Sequence, residues 1–315
     1  MSTKTKILDT IVTDPSLAWN SELEKSPDKF SFDLDETCLN ELISNRENLT
    51  SENIDIFKNL RNFVTDLKNN VLINGCGFFV IRGRTLSNFN NLEKKHIYIV
   101  ISKIIGILLE QNKNHDLSVE IKDLGKSMKT GGRYHHTKEG GSYHTDGSHL
   151  YANPPDYVGL LCINPAKKGG VSKFMSAYTI HNKLLDQKNL LEILYEKFHH
   201  DRKNENLDNE QPTRFEPIFE LIENNLKFKY QKELIETGHE KANEPLTEKQ
   251  IEAINFLEDI LRDSNKMVTY DLQSGDMMFS NNRWLIHDRT PFEDFDDENL
   301  KRLLHRTWIR EAKNL

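Results

Sequence analysis

The stretch Tyr143-His144-Thr145-Asp146-Gly147 carries the most informative pattern in this chain. It places a histidine and a carboxylate two residues apart, at the expected end of a strand. A distant second histidine, His287, would let these side chains bind one face of a metal ion and leave the opposite face open. Two histidines and one carboxylate are the facial ligand set of non-haem Fe(II) oxygenases. Because His-x-Asp alone is common by chance, the prediction depends on the residues that follow His287.

Two arginines follow His287 on a predicted C-terminal strand and form a second constellation. Arg302, Leu304 and Arg306 alternate along the chain, and alternate residues of an extended strand point to the same side. Both guanidinium groups can therefore reach one pocket. A planar guanidinium binds a carboxylate bidentately, so the pair predicts a site for a dicarboxylate co-substrate. The alternative is an arginine-rich terminal strand exposed to solvent.

Four motifs, in this order, resemble the taurine dioxygenase superfamily. These enzymes are Fe(II)- and 2-oxoglutarate-dependent oxygenases, and the clavaminate synthase-like enzymes belong beside them. The resemblance covers about Gly75 to Arg310. The motifs are His144-Thr145-Asp146, Gly169-Gly170-Val171-Ser172, the run from Asn282 to His287, and Arg302 with Arg306.

The resemblance implies a role for each matching side chain. Arg302 would hold the distal carboxylate of 2-oxoglutarate, and Ser172 would share that carboxylate. Arg306 would meet an anionic substrate or the co-substrate. Dioxygen would take the remaining open position of the metal. The iron ligands would be His144, Asp146 and His287.

Short strands with glycine and proline turns between residues 71 and 310, flanked by helices, indicate an α+β protein built on a double-stranded β-helix, or jelly roll. Residues 1–50 would form an N-terminal arm that packs on a single oxygenase domain of residues 51–315. An insertion or lid is expected at about 198–246. Hydrophobic patterning predicts a helix over 51–68, a buried strand over 71–83, a helix over 91–109, and a capped helix from Thr247 with Ile251 on its buried face.

The loop Thr130 to His136 leads to the metal strand and carries polar side chains expected near the iron. Arg133 and His135, together with Arg306, predict a small amino-acid-like substrate with an anionic group. A fourth protein ligand from His135 or His136 would block the open face of the metal. Contact with a metal ligand, contact with the substrate and plain exposure on the loop remain the alternatives for these two histidines.

Other polar side chains allow more than one interpretation. Gln111 and Glu120 could contact co-substrate or substrate, or they could be surface groups. Tyr230 could line the substrate pocket, although packing of its ring in the core is the expectation.

Composition excludes several classes of protein. The net charge is −7, and the chain lacks the clustered basic surface that nucleic acid requires. The longest apolar run, around Ile97 to Leu109, contains Ser102 and Lys103 and cannot span a bilayer. No apolar signal core follows Met1, so secretion is not expected. Three widely spaced cysteines predict reduced thiols in a cytoplasmic protein. The expected partner is a small-molecule substrate. The sequence leaves the oligomeric state open.

Asp146 also bears on the outcome of the reaction. In related halogenases a small residue replaces this carboxylate, so its presence favours hydroxylation of an unactivated C–H bond. Desaturation or ring closure would begin with the same hydrogen abstraction. Two rivals are a non-catalytic metal-binding jelly roll and a zinc hydrolase, since Zn(II) also accepts two histidines and a carboxylate. Neither rival gives Arg302 and Ser172 a purpose.

Overall fold

The computed structural model describes residues 6–112, 114–127, 132–150, 153–206 and 209–312, and shows a mixed α/β protein with several sheets. Its helices are α1 Glu36–Ser44, α2 Lys58–Leu67, α3 Asn91–Ile105, α4 Ala177–Leu184, α5 Lys188–Leu194, α6 Lys232–Ala242 and α7 Glu248–Leu261. The first eight strands are β1 Ser31–Phe32, β2 Phe78–Ile81, β3 Ile107–Leu109, β4 Ser118–Ile121, β5 Tyr157–Asn164, β6 Lys168–Gly169, β7 Ser172–Ser176 and β8 Lys197–Asp201. The others are β9 Thr213–Pro217, β10 Phe219–Ile222, β11 Asn225–Phe228, β12 Met267–Tyr270, β13 Met277–Asn281, β14 Leu285–Arg289, β15 Phe292–Glu293 and β16 Leu303–Arg310.

Two of the sheets carry three of the predicted site residues, Ser172, His287 and Arg306. The larger has seven strands in the order β1-β2-β13-β5-β16-β3, and β4 also pairs with β16. The smaller has the order β12-β7-β14. His287 lies on β14 of the smaller sheet, and Arg306 lies on β16 of the larger one. The site is therefore assembled from strands of both sheets.

Aromatic side chains join the two sheets in the core. Phe78 on β2 stacks on Phe174 on β7, with ring centroids 5.0 Å apart and planes nearly parallel. Within the larger sheet, Phe79 packs against Phe279 at 5.3 Å. All four rings are buried, and the removal of each ring from water stabilises the fold by about 1.5–3 kcal/mol. This packing fixes the separation between the strands that hold the site.

The predicted elements between residues 51 and 83 were wrong in detail. The helix does not run from Ser51, because a 3₁₀ turn at Ile54–Ile56 precedes α2, which begins at Lys58. Lys68–Ile73 is a π-helical segment, so the strand is limited to β2. A short apolar run such as Val71-Leu72-Ile73 fits a buried helical turn as well as a strand, and periodicity alone does not separate the two.

Two further expectations near helix ends also need correction. The helix predicted over 91–109 ends at Ile105, because the chain turns at Gly106 and residues 107–109 pair with β16 as β3. A Cβ at Gly106 would lie 2.2 Å from the carbonyl oxygen of Arg310, so this close approach needs glycine. In α7 the capping box of Thr247 and Gln250 is confirmed, but Ile251 is exposed instead of buried.

The N-terminal residues described by the structure pack on the two sheets. Trp19 is buried and donates a hydrogen bond from Nε1 to the carbonyl oxygen of Cys76 (2.9 Å). Strand β1 pairs in parallel with β2. Cys38, Cys76 and Cys162 are buried free thiols. Among the residues described, no helix combines the length and the apolar character needed to cross a membrane.

Candidate metal centre

His144, Asp146 and His287 come together as predicted. One potential ligand atom from each residue lies within 4.8 Å of the other two. Oδ1 of Asp146 is 3.4 Å from Nε2 of His144 and 3.5 Å from Nε2 of His287. The carboxylate side chain is only 3% exposed, whereas the imidazoles are 11% and 18% exposed. These three groups can hold a metal ion with one side facing a cavity.

Backbone pairing holds the two histidines side by side. The amide N–H of each donates to the carbonyl oxygen of the other, at 2.9 Å for His144 and 3.0 Å for His287. The Nδ1 of His144 lies 2.8 Å from the carbonyl oxygen of Ser142, which accepts a hydrogen bond if Nδ1 carries the proton. That arrangement directs Nε2 towards the metal, as a hydrogen bond to the remote nitrogen does for histidine ligands in general.

Asn282 fixes the backbone on either side of the Asp146 side chain. Its Oδ1 accepts from the amide N–H of Asp146 (2.8 Å), and its Nδ2 donates to the carbonyl oxygens of Asp146 and Pro155 (both 2.9 Å). Gly147 then turns the chain with φ of +71°, and a Cβ there would lie 2.6 Å from Pro155. Asn282 and Gly147 together set the direction in which the carboxylate points.

The second oxygen of Asp146 is held by two donors from β16. Nε1 of Trp308 donates to Oδ2 at 2.7 Å, and Nη1 of Arg306 lies 3.1 Å from the same atom. Burial raises the pKa of Asp146, but Arg306 and the two histidines outweigh this and hold that pKa well below its usual value. Burial also lowers the pKa of His287, with the neighbouring His144 as a further cause. An ionised carboxylate beside a neutral imidazole suits a divalent cation.

An inner cavity of about 70 Å³ is lined by the three potential metal ligands and also by Arg302 and Ser172. Arg302 is buried, and within the described part of the chain its Nη1 has no hydrogen-bond partner. Burial, with Arg289 nearby, lowers the pKa of Arg302 to about 10. A buried guanidinium with an unsatisfied N–H is costly unless an anion binds it. Apolar walls come from Phe174, Met278 and Leu304.

An outer cavity of about 920 Å³ opens on the other side of Asp146 and Arg306. Burial lowers the pKa of His135, which lines both cavities, to about 2, and Arg306 is the next cause. Arg133 lines the outer cavity and forms an ion pair with Glu205. Of the loop that carries these side chains, Thr130 and Gly131 lie outside the described residues.

The other polar candidates divide clearly. Gln111 is buried, lines the outer cavity and accepts a 2.9 Å hydrogen bond from Nε of Arg306, so it is not a surface group. Glu120 is exposed at the rim, where it pairs with Lys122 at 2.6 Å. Tyr230 lies in the core, as expected, and donates to Glu258 at 2.6 Å.

Sequence reasoning gave Arg289 no role and placed Tyr134 only among the loop side chains expected near the iron. The two residues connect the metal strand to the loop above the inner cavity. The hydroxyl of Tyr134 donates to Oδ1 of Asp288 at 2.6 Å, and the Arg289 guanidinium packs 4.4 Å from the Tyr134 ring centroid. Nη2 of Arg289 also donates to the carbonyl oxygens of Tyr134 and Thr137. The sequence offers only a weak signal for a role of Arg289 in the site, namely that Asp288 and Arg289 directly follow His287.

Trp308 was also missed, although a signal was available. It is two residues beyond Arg306, and strand alternation places both on one face. The Arg306 guanidinium packs 4.7 Å from the Trp308 ring centroid.

Comparison with known proteins gives a consistent result. The family described as taurine catabolism dioxygenase TauD, TfdA matches residues 47–308. FR-33289 synthase of Streptomyces rubellomurinus (strain ATCC 31215) is 25% identical over 318 residues, which covers 96% of this chain and 91% of the synthase. Among solved structures, asparagine oxygenase with Fe(II), 2S,3S-3-hydroxyasparagine and succinate has a TM-score of 0.68 and 16% identity, and covers 89% of this chain and 93% of its own.

A second solved structure is the non-haem iron oxygenase OrfP with Fe and alpha-ketoglutaric acid. Its TM-score is 0.63 at 12% identity, over 90% of this chain and 94% of OrfP. At these identities the two structures establish similarity of fold, while the family match spans most of the chain and includes every predicted site residue. The chain belongs to the taurine catabolism dioxygenase (TauD, TfdA) family and is an Fe(II)- and 2-oxoglutarate-dependent dioxygenase.

Proposed function

We propose that this dioxygenase hydroxylates an unactivated C–H bond of a small amino-acid-like metabolite that carries an anionic group. His144, Asp146 and His287 would hold Fe(II), and Arg302 with Ser172 would hold the distal carboxylate of 2-oxoglutarate. Arg133, His135 and Arg306 stay the predicted substrate contacts, because all three line the outer cavity.

One observation carries the proposal. The inner cavity joins three potential metal ligands to a buried arginine whose Nη1 has no partner among the described residues. The donor set fits Fe(II), and the unsatisfied guanidinium fits the carboxylate at the far end of a keto-diacid. Neither a zinc hydrolase nor a non-catalytic metal site needs that guanidinium.

When bound, iron and 2-oxoglutarate would activate dioxygen, so that one oxygen atom reaches the substrate and the other oxidises 2-oxoglutarate to succinate and carbon dioxide. The chain's own residues position and shield the reactants. Arg302 and Ser172 would fix the orientation of 2-oxoglutarate, while Phe174 and Leu304 exclude water from the inner cavity. Arg306 and Trp308 hold Oδ2 of Asp146, so that Oδ1 faces the histidines. Since Asp146 keeps a carboxylate at the metal, hydroxylation is favoured over halogenation.

The fold is proposed to be a double-stranded β-helix. Support comes from the facing seven-stranded and three-stranded sheets and from their largely antiparallel pairing. We assign residues 51–315 to one oxygenase domain, residues 1–50 to an arm on its surface, and about 198–246 to an insertion beside the outer cavity. The buried free cysteines support a cytoplasmic location.

The substrate class rests on the relatives as well as on the cavity. Asparagine oxygenase was crystallised with a hydroxylated asparagine, and OrfP with a hydroxylated arginine. An amino-acid-like substrate fits the polar outer cavity of this chain. Desaturation and ring closure are separated from hydroxylation by the mass of the product, which gains one oxygen atom only in hydroxylation.

A metabolite screen scored by succinate release tests this function. A supporting result is a small amino-acid-like compound that stimulates succinate formation and becomes heavier by one oxygen. Zinc-dependent hydrolysis of such compounds without 2-oxoglutarate consumption would contradict the proposal.

A further inference from the structure

Glu233 is a carboxylate on the wall of the outer cavity, in the first turn of α6. It is brought to the site by an antiparallel bridge between Gln231 and the metal-strand residue His144. Oγ of Ser142 lies 3.2 Å from both of its oxygens and donates one hydrogen bond. Ser142 is two residues before His144, so this contact joins the carboxylate to the segment that carries two of the potential metal ligands.

The carboxylate of Glu233 has spare capacity to accept hydrogen bonds. A carboxylate has about four acceptor positions, and a single hydroxyl occupies little of that capacity. In the parts of the chain that the structure describes, Glu233 has no ion-pair partner within 4.0 Å. Its surroundings thus leave a negative charge facing the cavity.

The other carboxylates of the outer cavity are engaged or peripheral. Asp201 is paired with Lys241 at 2.6 Å and accepts from Thr237 at 3.0 Å. Asp116 is exposed and accepts from the Asn112 side chain at 2.9 Å. Glu120, described above, has its own lysine. Glu233 is therefore the lining carboxylate best placed to take a positive charge from a bound molecule.

A cationic group lines the same cavity as this carboxylate. Arg306 lines the same cavity, where its Nη1 contacts Asp146 and its Nε donates to Gln111. The wall thus offers a fixed positive group next to the metal and a fixed negative group at the start of α6. A cavity with both kinds of charged group favours a ligand that carries positive as well as negative charge, and disfavours a ligand that carries only negative charge.

We propose that Glu233 binds a protonated nitrogen of the substrate, so that the substrate is amphoteric, with a basic amino or guanidino group as well as its anionic group. This inference rests on the proposed function and narrows its substrate class. Glutamine at position 233 would replace a charge-assisted hydrogen bond by a neutral one in a partly desolvated site. Glu233→Gln should therefore weaken binding of such a ligand roughly 10- to 100-fold.

The test measures binding to anaerobic enzyme already loaded with Fe(II) and 2-oxoglutarate. The probes are the twenty L-amino acids, their N-acetyl derivatives, and L-citrulline as a neutral analogue of L-arginine. Dissociation constants come from equilibrium dialysis with wild type, Glu233→Gln and Glu236→Gln. Glu236 is a matched control because it lies one turn away on α6, is exposed and pairs with Lys232 at 3.7 Å.

The expected result has two parts. The tightest probe for wild type carries a protonated nitrogen, and Glu233→Gln, but not Glu236→Gln, weakens it roughly 10- to 100-fold. Neutralising that nitrogen in the probe should weaken wild type by a similar factor and weaken Glu233→Gln little further, which is the coupling expected of direct contact. Glu233→Asp should retain a preference for the charged probe.

Three results would overturn the inference: no probe with a basic nitrogen binds, the tightest probe lacks one, or Glu233→Gln weakens charged and neutral probes equally. Failure of the broader function is recognised separately, since it shows as absent binding of Fe(II) and 2-oxoglutarate before any probe is added. The same loading step reports whether each variant is folded.

Discussion

The indole Nε1 of Trp308 donates a 2.7 Å hydrogen bond to Oδ2 of Asp146, on the side of the carboxylate turned away from the two histidines. Nη1 of Arg306 contacts the same oxygen at 3.1 Å. With Oδ2 engaged by both donors, Oδ1 alone is directed to the metal position. A carboxylate that binds through one oxygen leaves three positions of an octahedral ion open, as a bidentate co-substrate and dioxygen require.

Trp308→Phe should lower the affinity for Fe(II) about 10-fold or more, because loss of a hydrogen bond to a ligand typically weakens a metal site by this amount. Anaerobic Fe(II) titration measures the change. Trp284→Phe is the matched control, since Trp284 is also buried but packs on Tyr178, outside both cavities. Equal losses in the two variants would mean that only packing had been disturbed.

Arg302→Lys should weaken 2-oxoglutarate binding roughly 10- to 100-fold, because lysine cannot reproduce the bidentate contact of a planar guanidinium. The dissociation constant of 2-oxoglutarate with Fe(II)-loaded protein reports the effect. Arg310→Lys serves as the control, because Arg310 ends β16, the strand that Arg302 directly precedes, and contacts Pro154 and Asp156, away from the inner cavity. An unchanged affinity in Arg302→Lys would remove the basis for the assigned co-substrate site.

Tyr134→Phe should lower the free energy of unfolding by about 1–3 kcal/mol, because the buried Asp288 carboxylate loses a 2.6 Å hydrogen bond. Urea denaturation measures this difference. Tyr143→Phe removes only a 3.5 Å contact to the sulfur of Met267 and should change stability by less than about 0.5 kcal/mol. Similar effects of the two substitutions would argue against a special role for the Tyr134 hydroxyl.

His181 should make the fold less stable in acid. Burial lowers its pKa to about 4, so the folded state keeps it neutral while the unfolded state, with a pKa of 6.5, takes up a proton more readily. The contribution of neutral His181 to the free energy of unfolding is thus complete above pH 6.5 and is lost as the pH falls towards 4. Between pH 7 and pH 5 the loss is about 2 kcal/mol.

Replacing His181 by glutamine should remove that part of the pH dependence. The Tyr195 hydroxyl, which lies 2.9 Å from Nε2 of His181, loses this partner in the variant. The loss should lower the free energy of unfolding at every pH. Urea denaturation at pH 7 and pH 5 separates the two effects. An identical stability difference between the two pH values in wild type and variant would show that His181 does not titrate as described.

The sequence predicted the parts of the site that short spacing determines. His144 and Asp146 share a segment, and Leu304 and Arg306 alternate on β16. Arg302 lines the same inner cavity, but it directly precedes β16 instead of lying on it as predicted, and the pairing of β16 with β5 shifts register between Leu303 and Leu304. Asn282 and Glu233 were not found as site residues, because their positions depend on tertiary pairing between distant segments. The bridge that joins Gln231 to His144, for example, has no local pattern in the chain.

The secondary structure was predictable to a similar extent. The Thr247–Gln250 capping box is a local signal and was identified. Residues 71–73 were misassigned as part of a strand, because the apolar side chains of Val71 and Leu72 are buried in a helical turn that lacks a distinctive period. Local signals thus located helix starts, while packing decided where short elements begin and end.

The most direct test of the central claim is an anaerobic titration of the protein with Fe(II) followed by 2-oxoglutarate, monitored by visible absorption. We predict one iron per chain and a weak charge-transfer band that grows when 2-oxoglutarate is added. The band should be absent from His287→Ala and Asp146→Ala. A wild-type protein without the band, or a band that survives both substitutions, would contradict the claim that these side chains gather round one iron.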